Sequence, residues 1–368
     1  MLRVGQAPCA IDKLAAVNNK LAMRDDLRFM CDLYATRNDF KLFSKHATML
    51  VFHAQWVNPL VFRLSSPFIY PPTHLKIPMK LVTYRKNGHA GVGTVSADLQ
   101  TVTPFDLPLD KRELGALPVI EAMAAGAGLP KTLSAIALSE VQIIAPIPKP
   151  RRNIFCVGKN YFAHAKEFAG SGFDSSAAAG DIPKVPIYFS KVPESVIGAD
   201  AAIEMPVGVS DAIDYEVELA VIIGTGGKGI TKADAMEHVW GYTIINDVTA
   251  RDWQSRHSQW LLGKSFDTFC PMGPWLVSAD EMDGTNTNVR CFVNNEIRQN
   301  ANTTDLIFDI PTLIETLSAG ITLYPGDIIA TGTPVGVGIG FKPPKYLVAG
   351  DVVRVEIDGI GAMSNPVR

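Results

Sequence analysis

The sequence predicts an α+β fold that is mostly β, and three observations carry the prediction. From residue 79 onward, short runs rich in Val, Ile and Thr alternate with Asn-Gly, Gly-Asp and lone Gly signals, the pattern of strands joined by tight turns. Helical patterns are few, and the clearest, IPTLIETLSAG, has Pro311 near its start and Gly320 as a C-terminal signal. Of the 368 residues 47% are hydrophobic and 19% charged, which supports a substantial packed core and argues against overall disorder.

Taken in order, residues 1–78 form an N-terminal extension. They mix charged helical pieces (NNKLAMRDDLRFMCDLY) with an aromatic, Pro-containing run (WVNPLVFRLSSPFIYPP) and hold no steady period, so Met79 is a candidate start of the folded protein. Residues 79–147 read as a small α+β domain: hairpin strands in MKLVTYRKNGHAGVGTVSADLQTVTPFD, a helix at LPVIEAMAAGAG, and a closing strand. The proline-rich APIPKPRRN marks the boundary with a larger domain, 148–368. Within it, YPGDIIATGTP and VAGDVVRVEIDG each set a Gly-Asp turn before a β-branched run and predict strands entered from tight turns. Nothing repeats in the manner of a solenoid.

Charge and cysteine usage exclude several function classes. A net charge of −3 gives no global basic field for nucleic acid. The five cysteines are widely spaced without a C-x-x-C pair, against a zinc ribbon or disulfide scaffold and in favour of buried free thiols. No apolar run approaches the ~18 residues of a membrane span. The N-terminus lacks an apolar signal region, and Asp12, Asp25 and Asp26 argue against a transit peptide. The expected location is the cytoplasm, with no membrane partner.

LAVIIGTGGKGI (219–230) matches a dinucleotide fingerprint through Gly224, Gly226 and Gly229, with Asp247 downstream as the ribose acid. The preceding residues contradict it. In a dinucleotide fold the first strand is apolar almost throughout, whereas DYEVELAVII carries Glu216 and Glu218 two apart, on one face of the strand, with Val217 and Leu219 facing a core. T-K-A-D at 231–234 moreover places a helix start after Gly229 rather than among the glycines. Neither NAD nor FAD is expected. Two neighbouring carboxylates repel each other and call for a cation between them. With Asp247, at the end of WGYTIINDVTARDW, they make three hard oxygen donors suited to Mg²⁺, Mn²⁺ or Ca²⁺, or else a pair of solvated, lysine-paired surface glutamates.

The motifs IFCVGKNYFAHAKE, DYEVELAVIIG, GYTIINDVTARDWQ, LGKSFDTFCPMGPW and YPGDIIATGTPVGVG, in this order, resemble the fumarylacetoacetate hydrolase family, its bacterial members in particular, from about Met79 to Arg368. The resemblance implies a mixed β-sandwich or roll with helices outside, a catalytic domain over 148–368, and a homodimer. It implies that Glu216, Glu218 and Asp247 are ligands to Mg²⁺ (or Mn²⁺) and that His164 and Glu167 are a catalytic pair one helical turn apart. It makes Lys264 an active-site lysine and Arg251, Gln254 and Thr333 residues facing the substrate. EFAGSGFDSSAAAGDIP (167–183), a flexible loop by composition, resembles the family's lid. One departure is an acid absent from VGKNYFA, where members that cleave fumarylacetoacetate itself carry an additional aspartate ligand.

The function this implies is a divalent-metal-dependent enzyme cleaving C–C bonds of β-diketo or 2-oxo acids in aromatic catabolism, with the metal polarising the 2-oxo group. Isomerase, hydratase and decarboxylase activities share the same enolate, and a non-catalytic metal-binding regulatory protein is the alternative of another class.

Overall fold

A computed structural model describes residues 77–169 and 182–368, within one unit of the chain, Pro67–Arg368. The N-terminal extension up to residue 76, and the lid from 170 to 181, lie outside the described residues. The fold begins on the predicted hairpin. Lys80–Lys86 and His89–Val95 pair antiparallel across Asn87 and Gly88, whose φ of 52° and 83° are those that a two-residue turn of this hand requires. Thr101–Pro104, the helix Leu117–Ala124 and Gln142–Ile144 follow as the sequence predicts.

Twelve of the described strands join one sheet. Lys80–Lys86 pairs with Cys270–Ser278, and from there the order runs through Val239–Asn246, Val217–Ile223, Ile328–Ala330 and Ile154–Gly158 to Ile187–Lys191 at the edge. A second sheet of four strands stacks Glu296–Asn302, Asn288–Val293, Val352–Ile357 and Gly361–Pro366. Val217, Leu219, Val221 and Ile223 pack with Val289, Cys291, Val353 and Val355 of that second sheet. On the opposite face Ala220 and Ile222 pack with Val119, Ile120 and Met123 of the helix Leu117–Ala124. The two-residue period of the strand therefore serves two cores, and Glu216 and Glu218 share the face of Ala220 and Ile222.

The fingerprint glycines take another role. Val217–Ile223 runs antiparallel to both its neighbours, and the chain returns directly into Val239–Asn246. No long helix opens at the glycines. Thr231 and Asp234 bond as a cap would, with the Thr231 hydroxyl donating to Asp234 at 2.7 Å, but only a turn and the 3₁₀ helix Ala235–His238 follow. A return to the adjacent strand within so few residues leaves no length for the predicted helix. The helix Ile310–Ser318 forms as expected, Asp309 accepting the Thr312 amide and Pro311 in its first turn, but Ala319 at its end stays right-handed and Gly320 is not needed as a left-handed cap. Cys156, Cys270 and Cys291 are buried and free. Among the described residues no helix is long and apolar enough to cross a membrane.

Candidate active site

The carboxylates come together because two antiparallel strands end side by side. The Asp247 amide donates to the Glu216 carbonyl at 2.8 Å, and Asn246 Oδ1 accepts the Glu216 amide at 2.9 Å. Glu216, Glu218 and Asp247 each offer an oxygen within 4.8 Å of the other two, and all three are buried.

Cations hold this cluster, as the repulsion argument requires. Lys264 Nζ donates to Glu216 Oε2 and Asp247 Oδ2, 2.7 Å each. Lys264 ends the short helix Leu261–Lys264, and a side chain at Gly263 would overlap the backbone of Gln254 in the helix Arg251–Arg256, so the two helices touch only because residue 263 is Gly. Arg251 spans Asp214, with Nε donating to Oδ2 at 2.9 Å, and Glu216, whose Oε1 lies 2.6 Å from Nη2 but off the hydrogen-bond line. Its Nη1 donates to Gln254 Oε1 at 3.1 Å. The guanidinium that the resemblance turns toward the substrate thus holds two of the protein's own carboxylates.

Charge and burial set the proton affinities. Burial alone would raise Glu216, but Lys264, Arg251 and His164 outweigh it and bring the carboxyl to about 2. Glu218 moves the other way: burial, then the Asp247 and Glu216 carboxylates, push it well above the ordinary range. Burial disfavours the Lys264 ammonium, yet Asp247 and Glu216 more than offset this and its pKa rises.

His164 and Glu167 lie on the helix Phe162–Ala169, Nδ1 and Oε2 3.1 Å apart. Glu167 is fixed in turn by the Gly336 amide at 3.1 and 3.2 Å. His164 lines one pocket together with Glu216, Glu218, Arg251, Gln254, Lys264 and Thr333, walled by Phe168, Phe189 and Trp260. The Thr333 hydroxyl is taken up locally, donating to the Val217 carbonyl at 3.0 Å and accepting from Gln299 at 2.8 Å. The backbone donors of its loop serve the protein's carboxylates: Gly332 N–H to Glu218 at 2.8 Å, Gly338 and Ile339 N–H to Asp214 at 2.6 and 2.9 Å.

Two residues escaped the sequence reading. Asp214 is the buried anchor of Arg251. Lys191, at the end of the edge strand Ile187–Lys191, has no exposed surface; its Nζ donates to Asp247 Oδ1 at 2.7 Å, to the Val248 carbonyl at 3.0 Å and to the Lys264 carbonyl. The Asp214 signal was adjacency to the E-x-E pair; Lys191 had none.

The donor set fits a divalent cation. Glu216 and Asp247 are paired with buried cations, whereas Glu218, in the same cluster, makes no ion pair among the described residues. All-oxygen, all-carboxylate donors suit Mg²⁺ or Mn²⁺ better than zinc.

Residues 153–368 match a family model described as fumarylacetoacetate (FAA) hydrolase C-terminal. Among curated proteins, the oxaloacetate tautomerase YisK of Bacillus subtilis (strain 168) is 51% identical over 232 residues, covering 63% of this chain and 74% of the relative. The solved structure of fumarylacetoacetate hydrolase (EaFAH) from psychrophilic Exiguobacterium antarcticum shares 38% identity at a TM-score of 0.65, over 79% of this chain and 99% of that one. The 2-hydroxyhepta-2,4-diene-1,7-dioate isomerase from Mycobacterium marinum shares 31% identity at a TM-score of 0.62, over 78% and 98% respectively. Both likenesses extend to the mostly β fold described above.

Proposed function

This chain belongs to the fumarylacetoacetate hydrolase family, and we propose that it is a divalent-metal-dependent tautomerase of small 2-oxo acids, with oxaloacetate as the leading substrate. The observation that carries this reading is one pocket lined by Glu216, Glu218 and His164, with Asp247 within 4.8 Å of the two glutamates and Glu167 bonded to His164. The substrate comes from the relative at 51% identity, itself called an oxaloacetate tautomerase. Mg²⁺ or Mn²⁺ and a homodimer belong to the same reading.

A divalent ion held by Glu216, Glu218 and Asp247 supplies Lewis-acid polarisation of a 2-oxo group. The remaining work falls to the chain. Glu167 accepts at His164 Nδ1, which leaves Nε2 as the nitrogen that takes a proton from C3. The electron pair moves onto the 2-oxo oxygen, and Lys264 and Arg251 offset that charge in a buried setting. Return of the proton to oxygen completes the enol, and no water is consumed. C–C hydrolysis of β-diketo acids, favoured by the likeness to EaFAH, starts from the same polarised carbonyl but requires His164 to deprotonate water.

Ultraviolet loss of the oxaloacetate enol, followed with Mg²⁺, with EDTA, and in Glu216→Ala, separates these readings. Metal-dependent acceleration that the variant lacks supports the tautomerase. Pyruvate release from an acylpyruvate without enol acceleration selects the hydrolase. No turnover of either substrate with Mg²⁺ present, beside retained metal binding, removes the enzymatic reading and leaves a metal-binding regulator.

A further inference from the structure

We infer that Tyr215 is a positioning residue for the His164–Glu167 pair, holding it in line through the backbone of Gly336; the role rests on the tautomerase reading above. Tyr215 stands between Asp214, the anchor of Arg251, and Glu216 of the acidic cluster. It faces the other way. Its side chain packs with Val217 and Leu219 in the core shared with the second sheet. The residue has no exposed surface, so its hydroxyl needs partners inside the protein.

Those partners lead to the pocket. The Tyr215 hydroxyl donates to the Gly336 carbonyl at 3.0 Å, and the amide of the same Gly336 donates to the Glu167 carboxylate at 3.1 and 3.2 Å. Glu167 Oε2 then lies 3.1 Å from His164 Nδ1. Arg298, from the strand Glu296–Asn302 of the second sheet, donates through Nη1 to the Tyr215 oxygen at 3.3 Å. That leaves the phenol its own hydrogen for Gly336.

The glycine makes this contact matter. Gly336 has no side chain by which neighbours could hold it, and its φ of 105° lies where glycine alone moves freely. Its amide therefore points where its backbone bonds direct it. The loop is held before Gly336, where Thr333 bonds Val217 and the Pro334 carbonyl accepts from Gln299, and after it, where the Gly338 and Ile339 amides reach Asp214. Between these holds, Tyr215 grips the carbonyl of the residue whose amide serves Glu167. Loss of the hydroxyl should loosen Gly336 and Glu167 while leaving Asp214 and Glu218 as they are.

The test compares wild type, Tyr215→Phe, Arg298→Met, Glu167→Gln and the double variant Tyr215→Phe/Glu167→Gln. It reads oxaloacetate kcat and KM, Mn²⁺ affinity by calorimetry, and the ¹⁵N-histidine spectrum, with the His164 signal assigned by its absence in His164→Gln. A misplaced base predicts that Tyr215→Phe lowers kcat about 10–100-fold, with KM and Mn²⁺ affinity retained. Arg298→Met, which leaves the phenol but removes the donor that orients it, moves kcat the same way by less. In the Glu167→Gln background the Tyr215 change adds little, because its route to His164 is already cut. The spectrum reads the geometry without turnover: wild type holds the His164 proton on Nδ1, and Tyr215→Phe shifts the signal toward the other tautomer. Losses in kcat that multiply in full in the double variant overturn the proposal, as do an unchanged kcat and His164 signal in Tyr215→Phe and Arg298→Met. A fall in Mn²⁺ affinity alongside kcat also overturns it and makes Tyr215 a support of the acidic strand. Wild-type turnover of oxaloacetate reports separately on the tautomerase reading; without turnover, the His164 signal still decides the role of Tyr215.

Discussion

The Lys191 ammonium has no exposed surface and gives its three hydrogens to Asp247, Val248 and Lys264. With its donors spent on the protein, it serves as a fixed countercharge to Asp247, not as a group that meets substrate. Replacing one partner of a buried ion pair strands the other, at about 3–5 kcal/mol. Lys191→Met, similar in volume but without charge, leaves Asp247 with only the Lys264 ammonium that Glu216 shares, and is expected to lower stability by up to that amount in denaturant unfolding of the chelated protein. A loss below about 1 kcal/mol would mean that Asp247 finds its compensation elsewhere. At this scale the sequence is uneven. Glu216, Glu218 and Asp247 were legible because a two-residue period puts two acids on one face and a strand end supplies the third. Lys191 was not, since it lies 56 residues from Asp247 and nothing in IYFSK marks a buried cation. Arg251 was legible through the resemblance as a residue near the substrate, but its hold on Asp214 was not.

Among elements, the loop that follows Ile328–Ala330 does most to assemble the site. Its amides reach Glu218, Glu167 and Asp214 from Gly332, Gly336, Gly338 and Ile339. TGTPVGVG thus gives its backbone donors to the acids around the site. Gly336 has φ 105°, and a side chain there would overlap the Arg298 carbonyl. Gly336→Ala must therefore shift the loop beside Glu167. Thr333 stays tied to Val217 and Gln299, so the shift should spare Glu218. The expected result is a fall in kcat of about 10–100-fold from a misaligned His164, with divalent affinity retained in calorimetry. Loss of both together would show that the loop moves as one body. Hairpin and helix signals of local origin, Asn87-Gly88 and Pro311, were readable for the same reason that the 231–234 start was not. Local caps specify what a segment prefers; the antiparallel return to Val217–Ile223 decides what it has room to form.

Over the whole molecule, the acidic cluster sits where separate parts of the fold converge: the ends of Val217–Ile223 and Val239–Asn246, the edge strand through Lys191, and the short helix through Lys264. An ion bound there favours the folded chain over the unfolded one, because only folding brings the three carboxylates within 4.8 Å. At free ion about 100-fold above Kd the linkage contributes about 2.7 kcal/mol, which in a unit of this size raises Tm by roughly 4–5 °C. Glu218 is the residue whose removal should be most informative. It is pushed up by burial and by its two acidic neighbours, so in the chelated protein it destabilises more than it supports. Glu218→Ala should therefore melt no lower than wild type in EDTA and show little rise when Mg²⁺ or Mn²⁺ is added. A full rise in the variant would place the stabilising ion elsewhere on the chain. A variant that melts well below wild type in EDTA would instead make Glu218 a structural residue, its bond to the Gly332 amide outweighing the repulsion around it.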